Sequence, residues 1–68
     1  MQDEIIDYAY PCMMAEQELL KTHNSMLKKD YTGALNHAIN ALVECRILIQ
    51  SIKEMREVEL TRSKMFIQ

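Results

Sequence analysis

Glycine and proline occur once each in this 68-residue chain, as Gly33 and Pro11, and tryptophan does not occur. Connections between strands draw heavily on these two turn-forming residues, so a chain this poor in both is not expected to build a multi-strand sheet. Two cysteines, Cys12 and Cys45, are too few for a disulfide scaffold. No run approaches the roughly 20 apolar residues of a membrane span, and no membrane partner is expected. Positive charge is also short: eight Lys and Arg against ten Asp and Glu leave a formal charge of −2. That balance gives nucleic acid no general attraction. The opening MQDEIIDYAY is acidic where a secretory signal is basic. A cytoplasmic setting with reduced thiols is the expectation.

The vocabulary of catalysis is missing as well. There is no nucleophile elbow, phosphate-cradling glycine loop or dinucleotide fingerprint, so neither enzymatic activity nor a cofactor is expected. Cys12, Cys45, His23 and His37 are the only soft metal ligands. None pairs at the close spacings of zinc sites. Cys12 and His23 stand about 16 Å apart along a helix, too far to share one ion. No metal is expected, and the cysteines, both on apolar stripes, read as small hydrophobes.

What remains is 49% hydrophobic and 26% charged, patterned for helix. The one certain break is Lys28-Lys29-Asp30-Tyr31-Thr32-Gly33. Two lysines suit the negative end of a helix dipole, and Asp30 is a good N-cap for the helix that follows. From there Ala34, Leu35, Ala38, Ala41, Leu42, Cys45, Leu48, Ile49, Ile52 and Met55 recur at spacings of three and four. Such spacing defines one helical face. The stripe loses phase at Arg56, so firm helix is expected to about Glu57, with an extension towards Lys64. Upstream, Cys12, Met13, Ala15, Leu19, Leu20, Met26 and Leu27 form a matching stripe, which Ile5, Tyr8 and Ala9 continue across Pro11. This continuity favours a first helix from about Asp3, kinked at Pro11, over one that begins near the proline. The expected fold is all-α: an antiparallel hairpin with helices over about 3–28 and 32–64 and a turn over 29–31, its last residues fraying.

The run Lys29-Asp30-Tyr31-Thr32-Gly33-Ala34-Leu35, with Ala38, Ala41 and Leu42, resembles the second-helix half of a tetratricopeptide repeat. Tyr31 takes the place of the aromatic that opens that helix in the family, and Ala34 and Ala41 those of its small packing residues. Ala38 departs from the family's large aromatic. The first helix lacks the family's tryptophan, leucine-glycine and tyrosine pattern, and no second repeat follows. A peptide-binding solenoid, which needs about three repeats, is excluded. The resemblance implies a close approach of two helices at Ala34, Ala38 and Ala41.

A chain of this length buries only about 60% of its unfolded surface and rarely sustains a core alone. Its second helix also carries Ile39, Val43 and Ile47 well off the main stripe. A helix apolar around most of its circumference calls for burial on more than one side. A second copy, giving a two-fold four-helix dimer, is the expected answer. Ile39, Val43 and Ile47 are the candidate self-association surface. Glu16 and His23, near the centre of the first helix's apolar face, are its candidate polar contacts, Glu16 meeting a cation such as Arg46 or Lys53. Met55, Val58, Leu60, Met65 and Phe66 have no assigned partner within the chain and are candidates for contact with another protein.

The functional expectation is a small non-enzymatic accessory or regulatory protein that binds itself and a larger protein. In size and style it is similar to adaptors and inhibitors encoded by bacteria and their phages. Two other readings are a nucleic-acid-binding helical dimer, using Arg46, Lys53, Arg56 and Lys64, and a module that only assembles with itself.

Overall fold

The computed structural model of the protein describes residues 7–67, with the side chains of residues 7–62. It is all-helical. Helix α1 spans Ala9–Leu27 and helix α2 spans Tyr31–Ile67, packed against each other as a two-helix hairpin.

Asp7 starts α1. Its Oδ1 accepts hydrogen bonds from the backbone N–H of Ala9 at 3.0 Å and of Tyr10 at 3.3 Å, supplying an acceptor to N–H groups that have none inside the helix. Pro11 falls within this first turn, where the missing N–H and fixed φ of proline are tolerated. In place of the expected first helix from about Asp3 with a kink at Pro11, Asp7 and Tyr8 lie outside the helix and α1 begins at Ala9, two residues before the proline, because the Asp7 carboxylate caps it there. Residues 3–6 lie outside the described residues.

The link between the helices is built by a lysine where glycine is usual. Lys29 adopts φ 59°, in the left-handed region. Its N–H donates to the carbonyl of Met26 at 2.9 Å, and the N–H of Asp30 donates to that of Ser25 at 2.8 Å. These two bonds close the end of α1 as a Schellman motif, whose left-handed residue is most often glycine. Asp30 then caps α2, its Oδ1 accepting from the N–H of Gly33 at 3.0 Å. A Cβ at Gly33 would lie 2.9 Å from the Asp30 Cγ, so the glycine makes room for the capping carboxylate. Because left-handed φ is strained for lysine, Lys29→Gly is expected to stabilise the hairpin by about 0.5–1 kcal/mol. That gain should raise the thermal midpoint by a few degrees in circular dichroism; a fall would show that the lysine side chain contributes more than its backbone strain costs.

The helices meet through small and polar residues. On α1, Pro11, Ala15 and Glu18 are buried, and Met14, Thr22 and Ser25 are half-buried. On α2, Ala34 and Ala41 are buried, and Gly33, His37, Ala38, Glu44, Cys45, Leu48 and Ser51 are half-buried. This corrects the expected core. Of the first stripe only Ala15 is buried, while Met13, Leu19, Leu20, Met26 and Leu27 are exposed; of the second, Leu35, Leu42, Ile49, Ile52 and Met55 are exposed. The physical reason is separation. Alanines allow the backbones to approach closely, and a close, narrow seam leaves little room for large side chains, so Met14 and Leu48 are only half-buried in it.

One helix is much longer than the other. The 37 residues of α2 make about 55 Å of helix, close to the 59 Å length of the whole molecule. The 19 residues of α1 make about 28 Å. Accordingly, burial on α2 ends at Ser51, and every residue from Ile52 to Arg62 is exposed. The helix continues past Arg56, where the apolar stripe loses phase, without a glycine or proline to stop it. An Arg62–Glu59 ion pair at 3.6 Å and a Gln50–Glu54 hydrogen bond at 3.2 Å lie along this length.

Candidate interaction surface

The seam fixes which way each helix is rotated, and so what each presents outward. Glu18 marks one flank. Its Oε1 accepts a hydrogen bond from His37 Nδ1 at 2.8 Å and from Asn40 Nδ2 at 3.3 Å, and its Oε2 accepts from Lys21 Nζ at 3.4 Å. Only 8% of Glu18 is exposed, yet with three donors its charge is well satisfied. An ionised carboxylate only accepts, so His37 carries its proton on Nδ1. The His37 hydrogen bond above all, helped by Asn40 and Lys21 and opposed by burial, holds the Glu18 carboxyl below its ordinary value of 4.5.

That shift has a direction in pH. A carboxyl whose folded value is lowered contributes stability that is present above its ordinary value and is lost as pH falls through the folded one. The hairpin should therefore lose stability on acidification below about pH 4.5. Glu18→Gln keeps an acceptor for His37 and removes the titration, so its thermal midpoint should fall less steeply with acid than that of the parent. Parallel acid profiles would remove Glu18 from the explanation.

With about 100° per residue, Glu18, Lys21 and Ser25 lie on one flank of the α1 seam and Cys12, Leu19 and Met26 on the other. On α2, His37 and Asn40 lie on one flank and Leu35, Leu42 and Ile49 on the other. Because His37 and Asn40 meet Glu18, the polar flanks share one side of the hairpin. The apolar flanks must then share the opposite side. They form one face from Cys12, Leu19, Met26, Leu35, Leu42 and Ile49, and all but the half-buried Cys12 are exposed. Leu42 itself is 52% exposed.

No protein-family model, curated protein or solved structure matches this chain. Its surface has to be read from its own chemistry.

The structure distributes the candidate residues over several faces. Ile39, Val43 and Ile47 are exposed on α2, with Ile39 beside the apolar face and Val43 and Ile47 behind it. Glu16 and His23 are exposed on α1, and by helical phase they edge the apolar face next to Leu19. Met55, Val58 and Leu60 are exposed on the bare half of α2; the side chains of Met65 and Phe66 lie outside those described. Arg46, Lys53 and Arg56 are exposed too, interleaved with Glu54, Glu57 and Glu59, while the Lys64 side chain is also outside those described. Among the described residues, no three His, Cys, Asp or Glu side chains converge as metal ligands, and no helix is long and apolar enough to cross a membrane.

The sequence reading missed the Glu18–His37–Asn40 cluster. A signal for it exists: Ala15, Glu18, Thr22 and Ser25 repeat at spacings of three and four, as Ala34, His37, Ala41 and Glu44 do. Small residues at such positions mark the seam, and a carboxylate and a histidine falling within them are natural partners.

Proposed function

We propose that the protein is a small non-enzymatic accessory factor that self-associates through its apolar face and works by binding another protein. In this reading two antiparallel hairpins form a two-fold, four-helix dimer. The observation that carries it is the inversion of the hairpin: Ala15, Ala34 and Ala41 are buried between the helices, while Leu19, Leu35, Leu42, Ile39 and Ile49 line the outside. A hairpin whose fully buried apolar residues, among those described, are alanines and one proline, with Met14, Cys45 and Leu48 only half-buried beside them, buries too little apolar area to be stable alone at this size. Covering the outer face supplies the missing burial. The apolar residues left along α2, such as Val58 and Leu60, are then available to a partner protein.

Sedimentation equilibrium over a wide concentration range tests the self-association. A dimer mass is the expected result, and a fully folded monomer at all concentrations overturns it. Capture of partners on the immobilised chain, washed at rising salt, tests the second half. Contact through apolar residues should persist, whereas binding through phosphates weakens steeply with ionic strength.

A further inference from the structure

We propose that the exposed apolar face of each hairpin is covered by the bare half of α2 from a second copy, about a two-fold axis near Ile49. This rests on the self-association reading above and specifies its geometry.

Three observations converge on it. The first is length. Burial along α2 ends at Ser51, close to Ile49, the midpoint of Tyr31–Ile67. The bare half, about 27 Å of helix, nearly matches the ~28 Å of α1. A two-fold axis at that midpoint lays each bare half along the covered half of the other copy. Every level of the assembly then has three helices in section, and neither bare half is left as an unsupported helix, which is marginal in water. The interface is isologous and closes on itself.

The second is the apolar surface of the incoming helix. Hairpin faces meeting only each other would leave the exposed Ile52 and Met55 in water. These two lie within about 60° of each other around α2, and reciprocal seating brings them within reach of Leu19, Leu35 and Leu42 of the second copy, while Val58 and Leu60 stay outside the contact.

The third is charge. In this register Leu42 of one copy faces Arg56 of the other, each seven residues from Ile49. Glu18 meets His37 and Asn40, so with antiparallel helices Glu16 lies level with about Asn40. It therefore comes within a turn of the second copy's Arg56. Glu16 is an exposed carboxylate edging the hairpin's apolar face, and Lys53 and Arg56 are exposed cations on the incoming helix. Acid meets base at the rim of an apolar contact, which fixes register more than it adds affinity. Glu16 and Arg56 of the same chain are too far apart to pair, about 24 Å along the axis.

The test is photo-cross-linking of the full chain, mixed with an isotopically labelled copy so that links between chains are told from links within one. A benzophenone amino acid replaces Arg56, and in a separate variant Lys53; both positions are exposed and outside the seam. The expected result is links between chains, from position 56 to the stretch around Ile39–Cys45 and to α1 near Glu16, and from position 53 to the stretch around Leu42–Ile49. Links from position 56 to residues 52–60 of the other copy would show bare halves pairing with each other; that overturns this geometry and leaves self-association standing. Links only within one chain, in a sample that sediments as a dimer, also overturn it. A parent chain that sediments as a folded monomer overturns the self-association reading itself. If one variant loses the dimer, the other gives the same readouts at its own position.

Discussion

Leu42→Glu is expected to dissociate the protein and, at low concentration, to unfold it. In an isolated hairpin this residue is 52% exposed, and a surface substitution of that kind changes stability by no more than about 0.5 kcal/mol. With the face shared as proposed, the outcome differs. Full burial of a leucine is worth about 1.5–3 kcal/mol, and a two-fold axis uses each position twice. Losing about 4 kcal/mol of association weakens the dimer roughly 1,000-fold. Because the alanine seam alone leaves a hairpin of this size marginal, helical ellipticity should fall together with mass. Gln17→Glu, on an exposed position of α1 away from both the seam and the apolar face, is the control and should change neither. Sedimentation and circular dichroism on the two variants separate the cases. Equal behaviour would return Leu42 to an ordinary surface leucine.

Ala41→Leu should damage the hairpin from the inside. Ala41 is 4% exposed, at the middle of the seam, on a line with Ala34 and close to the Glu18–His37 bond. Three more carbon atoms cannot fit there unless the helices move apart. Overpacking of this type costs about 1–3 kcal/mol. Separation also stretches the 2.8 Å His37–Glu18 hydrogen bond, leaving a buried carboxylate short of its best donor. For a domain of this size, a loss near 2 kcal/mol lowers the thermal midpoint by roughly 10–15 °C. Ala41→Gly separates size from polarity: it preserves the close approach and costs only about 1 kcal/mol of helix propensity. A leucine variant as stable as the parent would mean that the helices do not pack as tightly at this position as the structure has them.

These two positions are neighbours in sequence and opposite in role, and the pattern of residues alone does not separate them. Ala41 and Leu42 both belong to one apolar stripe at spacings of three and four, and either could face α1. The same ambiguity hides Glu18. It lies outside the apolar stripe of α1, so it reads as a solvated side chain. Only once Ala15 is turned inward does Glu18 come round to meet His37 and Asn40. Glu16 and His23 show the converse. They sit within the apolar stripe, which suggested burial, and they are exposed because the stripe itself faces away from α2.

Scarcity of glycine and proline determined an all-helical chain, and the lysines with Asp30 determined where it turns. The tetratricopeptide-like run around Ala34, Ala38 and Ala41 also implied, by resemblance, a close helix contact. Those features act over a few residues, through turn conformation, capping and side-chain volume, so they are legible in a linear string. The rotation of each helix about its own axis was decided only in the folded hairpin. A helix that is apolar around most of its circumference has several burial angles of similar hydrophobic gain. The choice falls to terms that need both helices present: how closely two backbones can approach, and whether a buried carboxylate finds its donors. Both favour the alanine side. Most of the leucines are thereby turned outward, and a chain whose composition first marked only the absence of a sheet acquires an exposed apolar face, the surface proposed to take a second copy.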